Sequence, residues 1–250
     1  MIKLEGVSVG YGKRPVLNDI SKTFEKGKLT CIIGKNGCGK STLLKTIIGI
    51  LGVNCGRITL DGLDLSGLKP MEVARLAAYL SQGKTVPDMT VEQLVLHGRF
   101  PHIGYPRVYR RVDREIAKAA MEKMGIADLA KQKLTTLSGG MCQMAYIAMA
   151  LAQSTDYILL DEPTAYLDMG NSMSLMETLK SLTAEGKGVL AVLHDLTLAM
   201  KYADEIVVID GGRIETCGAP EEIYSSDIVE KVFGVKLNRC KTENGFAYFL

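Results

Sequence analysis

Along the first quarter of the chain, apolar residues alternate with polar ones or cluster between glycines. "KLEGVSVGY", "KLTCIIG" and "GRITLDG" each gather β-branched residues into a short stretch, and this pattern predicts strands. In "KPMEVARLAAYLSQ" (69–82) the period lengthens. Pro70 suits a first turn and Leu76, Ala77 and Leu80 share one stripe, so the stretch predicts a helix. Thr90 and Gln93 have capping-box spacing ahead of "VEQLVLHGR". Asp113 can cap "REIAKAAMEKMG", with Ile116, Ala120 and Met124 on one face and Gly125 as the stop. From Asp156 onward the runs "DYILLD", "GVLAVLH" and "EIVVID" are continuously apolar, and the helical pattern "NSMSLMETLKSLTAEG" separates the first two. Strands apolar on both faces and alternating with helices predict an α/β parallel sheet. "DGGRIE" reads as a tight hairpin turn. Strand-rich segments therefore flank a helical insertion, roughly Thr85 to Gln153, and the sheet core is discontinuous in sequence.

Composition narrows this picture without redirecting it. The 250 residues are 47% hydrophobic, enough for one large domain or a domain with a sub-lobe. A net charge of +2 points to no polyanionic partner and is far from a nucleic-acid-binding extreme. The first residues lack the apolar core of a secretory signal. The longest apolar run, "MAYIAMALA" (Met144–Ala152), is far short of the ~20 residues that cross a bilayer and fits a buried helix. The cysteines Cys31, Cys38, Cys55, Cys142, Cys217 and Cys240 form no CxxC pair and no zinc-like spacing, as expected for thiols in a reducing cytosol. Cys38 stands apart because it lies inside a glycine loop, where alkylation could block whatever the loop holds.

That loop carries the first chemistry. In "GKNGCGKST", Gly34-x-x-x-x-Gly39-Lys40-Ser41 follows the strand "LTCII" and opens the helix "STLLKTIIGI", which is the context a P-loop requires. Glycines let successive N–H groups turn toward one anion, and the helix N-terminus adds unsatisfied donors. Lys40 can reach terminal phosphates and Ser41 can ligate Mg²⁺. Asp161, ending the buried strand of "YILLDEP", is placed to hold that cation, and Glu162 to polarise an attacking water. In "TLSGGMCQ", Ser138, Gly139 and Gly140 precede an apolar helix and form a second anion-binding corner. A second phosphate-reading corner far from the first suggests two chains sharing one nucleotide.

With these motifs in this order the sequence resembles an ATP-binding cassette (ABC) ATPase along nearly its whole length. The resemblance implies the P-loop NTPase fold of that family. Its core is a mostly parallel sheet, with an N-terminal antiparallel β part and a helical subdomain. It matches Tyr11 to the residue that stacks on adenine, with Val16 beside it, and Gly34, Lys35, Asn36, Gly37, Cys38, Gly39, Lys40, Ser41 and Thr42 to Walker A. Gln82 matches the Q-loop glutamine, "LSGG" the signature, "ILLDEP" Walker B, "AYLD" (165–168) the D-loop and His194 the switch histidine. It implies ATP and Mg²⁺, with Ser41, Gln82 and Asp161 at the metal and with Glu162, His194 and Lys40 catalytic. It also implies a head-to-tail homodimer in which Ser138, Gly139 and Gly140 of one copy seal the nucleotide of the other. Met141 stands where Gln or Glu is usual and Cys142 where Arg is frequent, which predicts somewhat weakened or retuned closure, not loss of activity, because Ser138, Gly139 and Gly140 remain.

Finer stretches, "LVLHGRFPH", "PTAYLD", "LHDLTLAMKYAD", "GAPEEIY" and "VFGV", resemble the importer ATPases for ferric siderophores, haem and cobalamin. This implies a peripheral subunit on the cytoplasmic face of the membrane. It would contact permease subunits and, indirectly, a substrate-binding protein. The implied division is 1–84 and 154–225 as two parts of the nucleotide-binding core, 85–153 as helical subdomain and 226–250 as C-terminal tail. The run Arg99, Arg107, Arg110, Arg111 and Arg114 reads either as a solvated face or as a contact with the membrane partner or anionic headgroups. The alternatives are an ABC ATPase of another transporter class, a nucleic-acid-associated cassette and a non-hydrolysing interaction module. A single Walker A without sustained heptads argues against the second, and the presence of Glu162 and His194 against the third.

Overall fold

The computed structural model describes residues 1–12, 14–83, 85–242 and 245–249. Strands β1 (Ile2–Tyr11), β2 (Arg14–Phe24) and β3 (Leu29–Gly34) lead into α1 (Lys40–Ile47), then β4 (Cys55–Leu60) and β5 (Leu63–Asp64). Helix α2 (Pro70–Leu76) and β6 (Ala77–Leu80) precede α3 (Val91–His97), α4 (Arg111–Lys123) and α5 (Gly139–Ala152). Then follow β7 (Tyr157–Asp161), α6 (Met169–Ala184), β8 (Gly188–Val192), α7 (Leu196–Tyr202), β9 (Glu205–Asp210) and β10 (Arg213–Gly218). The chain closes with α8 (Pro220–Ser225), α9 (Ile228–Phe233) and the hairpin β11 (Asn238–Thr242) with β12 (Gly245–Phe249).

Among the described residues one sheet has the order β10-β9-β3-β8-β7-β6, parallel except where β10 folds back on β9. A second, antiparallel sheet runs β2-β1-β4-β5. The fold implied by the sequence is the one observed: a mostly parallel sheet, an antiparallel β part and helices. The continuous apolar runs are explained by burial on both faces. In β3, Ile32 joins the core shared with α1 and the antiparallel sheet, while Cys31 and Ile33 join the core shared with α5, α6 and α7. The segment 139–152 forms the largely apolar helix α5, mostly buried beside α3 and α4. Among the described residues, no helix is long and apolar enough to cross a membrane.

Several expectations need correction. The helix expected over 69–82 ends at Leu76, and Ala77–Leu80 is the outermost parallel strand, in register with Tyr157–Leu160. A stripe of Leu and Ala suits either structure. Pairing with a buried neighbour overrides the helix propensity of alanine and leucine, because tertiary context outweighs local preference. Helix α4 starts ahead of Asp113, whose carboxylate reaches back to accept the Arg110 N–H at 3.0 Å. Arg99 does not belong to a solvated run. It is 7% exposed, pairs with Asp113 at 3.1 Å, and donates to the Ala152 carbonyl at 2.8 Å and the Ser154 hydroxyl at 3.1 Å. The neighbouring His102 sits 2.7 Å from the Gln153 carbonyl, so this loop is pinned to the end of α5. Strand β2 is not evident in the pattern, because bulges at three points break its register with β1.

Candidate functional site

Strand β3 delivers the chain to Gly34, and α1 resumes at Lys40. Gly39, which caps α1, has φ +110°, and a Cβ there would lie 2.6 Å from Leu17 Cδ2. Only glycine allows both that backbone and that approach. No side chain caps α1, so its first N–H groups have no side-chain acceptor. Lys40 is buried, and its ammonium donates to the Gly34 carbonyl at 2.7 Å and the Lys35 carbonyl at 3.0 Å. The loop thus folds around its own cation.

Ser41 donates to Asp161 Oδ1 at 2.9 Å, joining α1 to the end of β7. Asp161 is 2% exposed. Burial pushes its carboxyl above the ordinary range and neighbouring Glu162 adds to this, while the hydrogen bond from Ser41 opposes it. A hydroxyl and a buried carboxylate are hard oxygen donors suited to a divalent cation, as is the amide oxygen of Gln82. Among the described residues no three His, Cys, Asp or Glu side chains cluster to hold a metal. A cation here would therefore complete its shell with phosphate and water.

Glu162 follows at φ +54°, outside the strand geometry, which turns its side chain out of the sheet. Its two oxygens are engaged separately. Gln82 Nε2 lies 2.5 Å from Oε2, and His194 Nε2 lies 2.5 Å from Oε1. The ends of β6 and β8 thus bring two side chains remote in sequence, Gln82 and His194, to the one carboxylate that follows β7.

Lys40, Ser41, Gln82, Glu162 and His194 share a cleft of about 820 Å³, while Asp161 is not among its lining residues and borders a smaller cavity with Gln82 and Glu162. The larger cleft is lined by Tyr11, Val16, Gln82, Glu162, His194 and the loop residues Asn36 to Thr42. Ser138, Gly139 and Gly140 are not in it. Ser138 caps α5, and a Cβ on Gly140 would come 3.2 Å from the Tyr166 carbonyl, so within one chain this corner packs against 165–168. Met141 is 41% exposed beside it and Cys142 is buried. Sequence reasoning missed Asn18, Gly211 and Gly212 in the cleft. Gly212 accepts from the Asn18 N–H at 2.9 Å, and a Cβ on it would lie 2.1 Å from the Val16 carbonyl, so the turn after β9 is locked against β2. The paired glycines were the available signal. Tyr79, 3.5 Å from Asp161 Oδ2, falls in the stretch whose pattern predicts a helix, so the sequence does not mark it.

Comparison with known proteins agrees with this geometry. A family profile described as "ABC transporter" matches residues 17–165. The chain is 42% identical over 234 residues to the ferric enterobactin transport ATP-binding protein FepC of Escherichia coli (strain K12), spanning 93% of this chain and 86% of that one. It is 39% identical over 237 residues to the hemin import ATP-binding protein HmuV of Rhodococcus jostii (strain RHA1), spanning 93% and 80%. The structure superposes with TM-score 0.77 and 26% identity on the dimeric, post-hydrolysis ATP-binding cassette MJ0796 bound to ADP and Pi, covering 88% of this chain and 99% of that one.

Proposed function

The chain belongs to the ABC transporter family and is an ATP-binding ATPase, and from that premise we propose that it energises an importer of a metal chelate such as ferric siderophore, haem or cobalamin. The observation that carries the ATPase reading is the convergence of Lys40, Ser41, Glu162 and His194 on one cleft beneath uncapped helix donors. The cargo class is supported by relatives that span the chain almost end to end.

In this reading the triphosphate of ATP takes the place that the Gly34 and Lys35 carbonyls now fill around the Lys40 ammonium. Adenine stacks on Tyr11, which is exposed at the cleft rim. Ser41, Gln82 and Asp161 would hold Mg²⁺, which supplies charge neutralisation for the phosphates. Glu162 accepts a proton from the attacking water, and His194 fixes its carboxylate through the contact already in place. Because Ser138, Gly139 and Gly140 lie outside the cleft of their own chain, they are read as sealing the nucleotide of a second copy. Residues 85–153 are read as a helical subdomain that passes this closure to permease subunits at the cytoplasmic face of a membrane.

The test uses purified protein and Mg-ATP. Glu162→Gln is expected to retain ATP binding, lower turnover by at least about a hundredfold, and run as an ATP-dependent dimer in size-exclusion chromatography. Lys40→Ala is expected to lose turnover. Wild-type turnover in Glu162→Gln would exclude the assigned base. Uptake of a radiolabelled ferric siderophore by cells carrying the neighbouring permease genes tests the cargo class.

A further inference from the structure

The loop between residues 100–102 and the first turns of α4 carries an arrangement that the nucleotide cleft does not use. Tyr105 is 100% exposed, Val108 63% and Val112 53%. Around them stand Arg107, Arg110, Arg111 and Arg114, all exposed. The Arg107 guanidinium lies 4.6 Å from the centre of the half-exposed Phe100 ring. Arg111 pairs with Glu115 at 2.8 Å. Among the described residues Arg107, Arg110 and Arg114 form no ion pair, and the nearby carboxylate of Asp113 is buried against Arg99. The whole chain has a net charge of only +2, so this is a local excess.

We propose that the Tyr105–Arg114 face is an interfacial contact for the anionic surface of a lipid bilayer. An exposed aromatic tip with small apolar neighbours, ringed by cations, matches the headgroup boundary. The cavity at its foot is only about 160 Å³. Arginine charge complements phosphate headgroups within a Debye length. Arg99 and His102 anchor the base of the loop to the end of α5, so the face is presented on a fixed support. This inference rests on the reading that the chain works at a membrane.

The experiment is sedimentation of the purified full chain with phosphatidylcholine vesicles, with and without phosphatidylglycerol, alongside its ATPase rate without vesicles. Binding is expected only with phosphatidylglycerol and should weaken as salt is raised. Arg107→Glu with Arg114→Glu should weaken it by at least about fivefold per arginine while leaving the vesicle-free ATPase rate unchanged. Tyr105→Ser with Val108→Ser should weaken binding while preserving its salt dependence. An active wild-type ATPase that ignores anionic vesicles overturns the lipid contact and leaves the proposed function standing. Equal binding to neutral vesicles also overturns it. If charge reversal releases only a co-purified permease and changes no vesicle binding, the face belongs to a protein partner and the proposal fails. Vesicle binding without any ATP turnover sinks the proposed function instead.

Discussion

Asp161 concentrates the electrostatic tension of the site. Its carboxyl titrates above the ordinary range because burial disfavours the charge, so the folded chain holds that proton more tightly than the unfolded chain. The resulting penalty is absent below the ordinary pKa near 4, sets in as pH rises through it, and is complete above the raised value. Asp161→Asn is therefore expected to raise the neutral-pH melting temperature while removing Mg²⁺-dependent turnover. Calorimetry without nucleotide, paired with an ATPase assay, checks both. Cys38 makes a second case. Burial raises its thiol pKa, against a lowering by Lys40, and it is 7% exposed. Iodoacetamide at pH 7 should thus label the exposed Cys55, Cys217 and Cys240 first and leave ATPase activity largely intact, as peptide mapping would record. The sequence placed Cys38 in the loop but could not show that its sulfur faces inward. It showed Lys40 and Glu162 for a simple reason. A P-loop and a strand-end carboxylate have local signatures, whereas Tyr79 and Asn18 reach the site only through pairing of distant strands.

At the scale of elements, the Arg99–Asp113 pair fastens α3, α4 and the end of α5. Burial alone would raise the Asp113 carboxyl, but the Arg110 N–H and the Arg99 guanidinium more than offset it and hold it below the ordinary range. This stabilisation is present above pH 4 and is lost as pH falls through the depressed value. Arg99→Met should lower urea stability by about 3–5 kcal/mol at pH 7, because it leaves a buried carboxylate uncompensated. The deficit should narrow toward pH 3. An equal deficit at both pH values would assign the loss to packing instead. Strands apolar on both faces and amphipathic helices were legible because their periods are set by burial. The segment Ala77–Leu80 was not, since alanine and leucine carry no period that separates a helix from an edge strand. Arg99 was misread because a run of arginines in sequence does not show which one turns inward.

For the whole molecule, the proposed head-to-tail dimer would make closure depend on what the α5 corner presents to a second copy. Met141, 41% exposed there, offers a thioether where the family usually has an amide or carboxylate. Met141→Gln is expected to change steady-state ATPase activity by about two- to fivefold without abolishing it, through one added polar contact. An identical rate would remove Met141 from the interface. The order of strands has a separate consequence for synthesis. Strand β3 lies between β9 and β8, yet β8 begins at Gly188, about 150 residues after β3 ends at Gly34. At about 5–20 residues per second the ribosome needs roughly 8–30 seconds to supply those neighbours. Throughout that interval the nascent chain carries the apolar ribbon Leu29–Ile33 with both edges open. A transcript ending before β9 would thus yield a sticky, aggregation-prone fragment in place of a smaller working cassette.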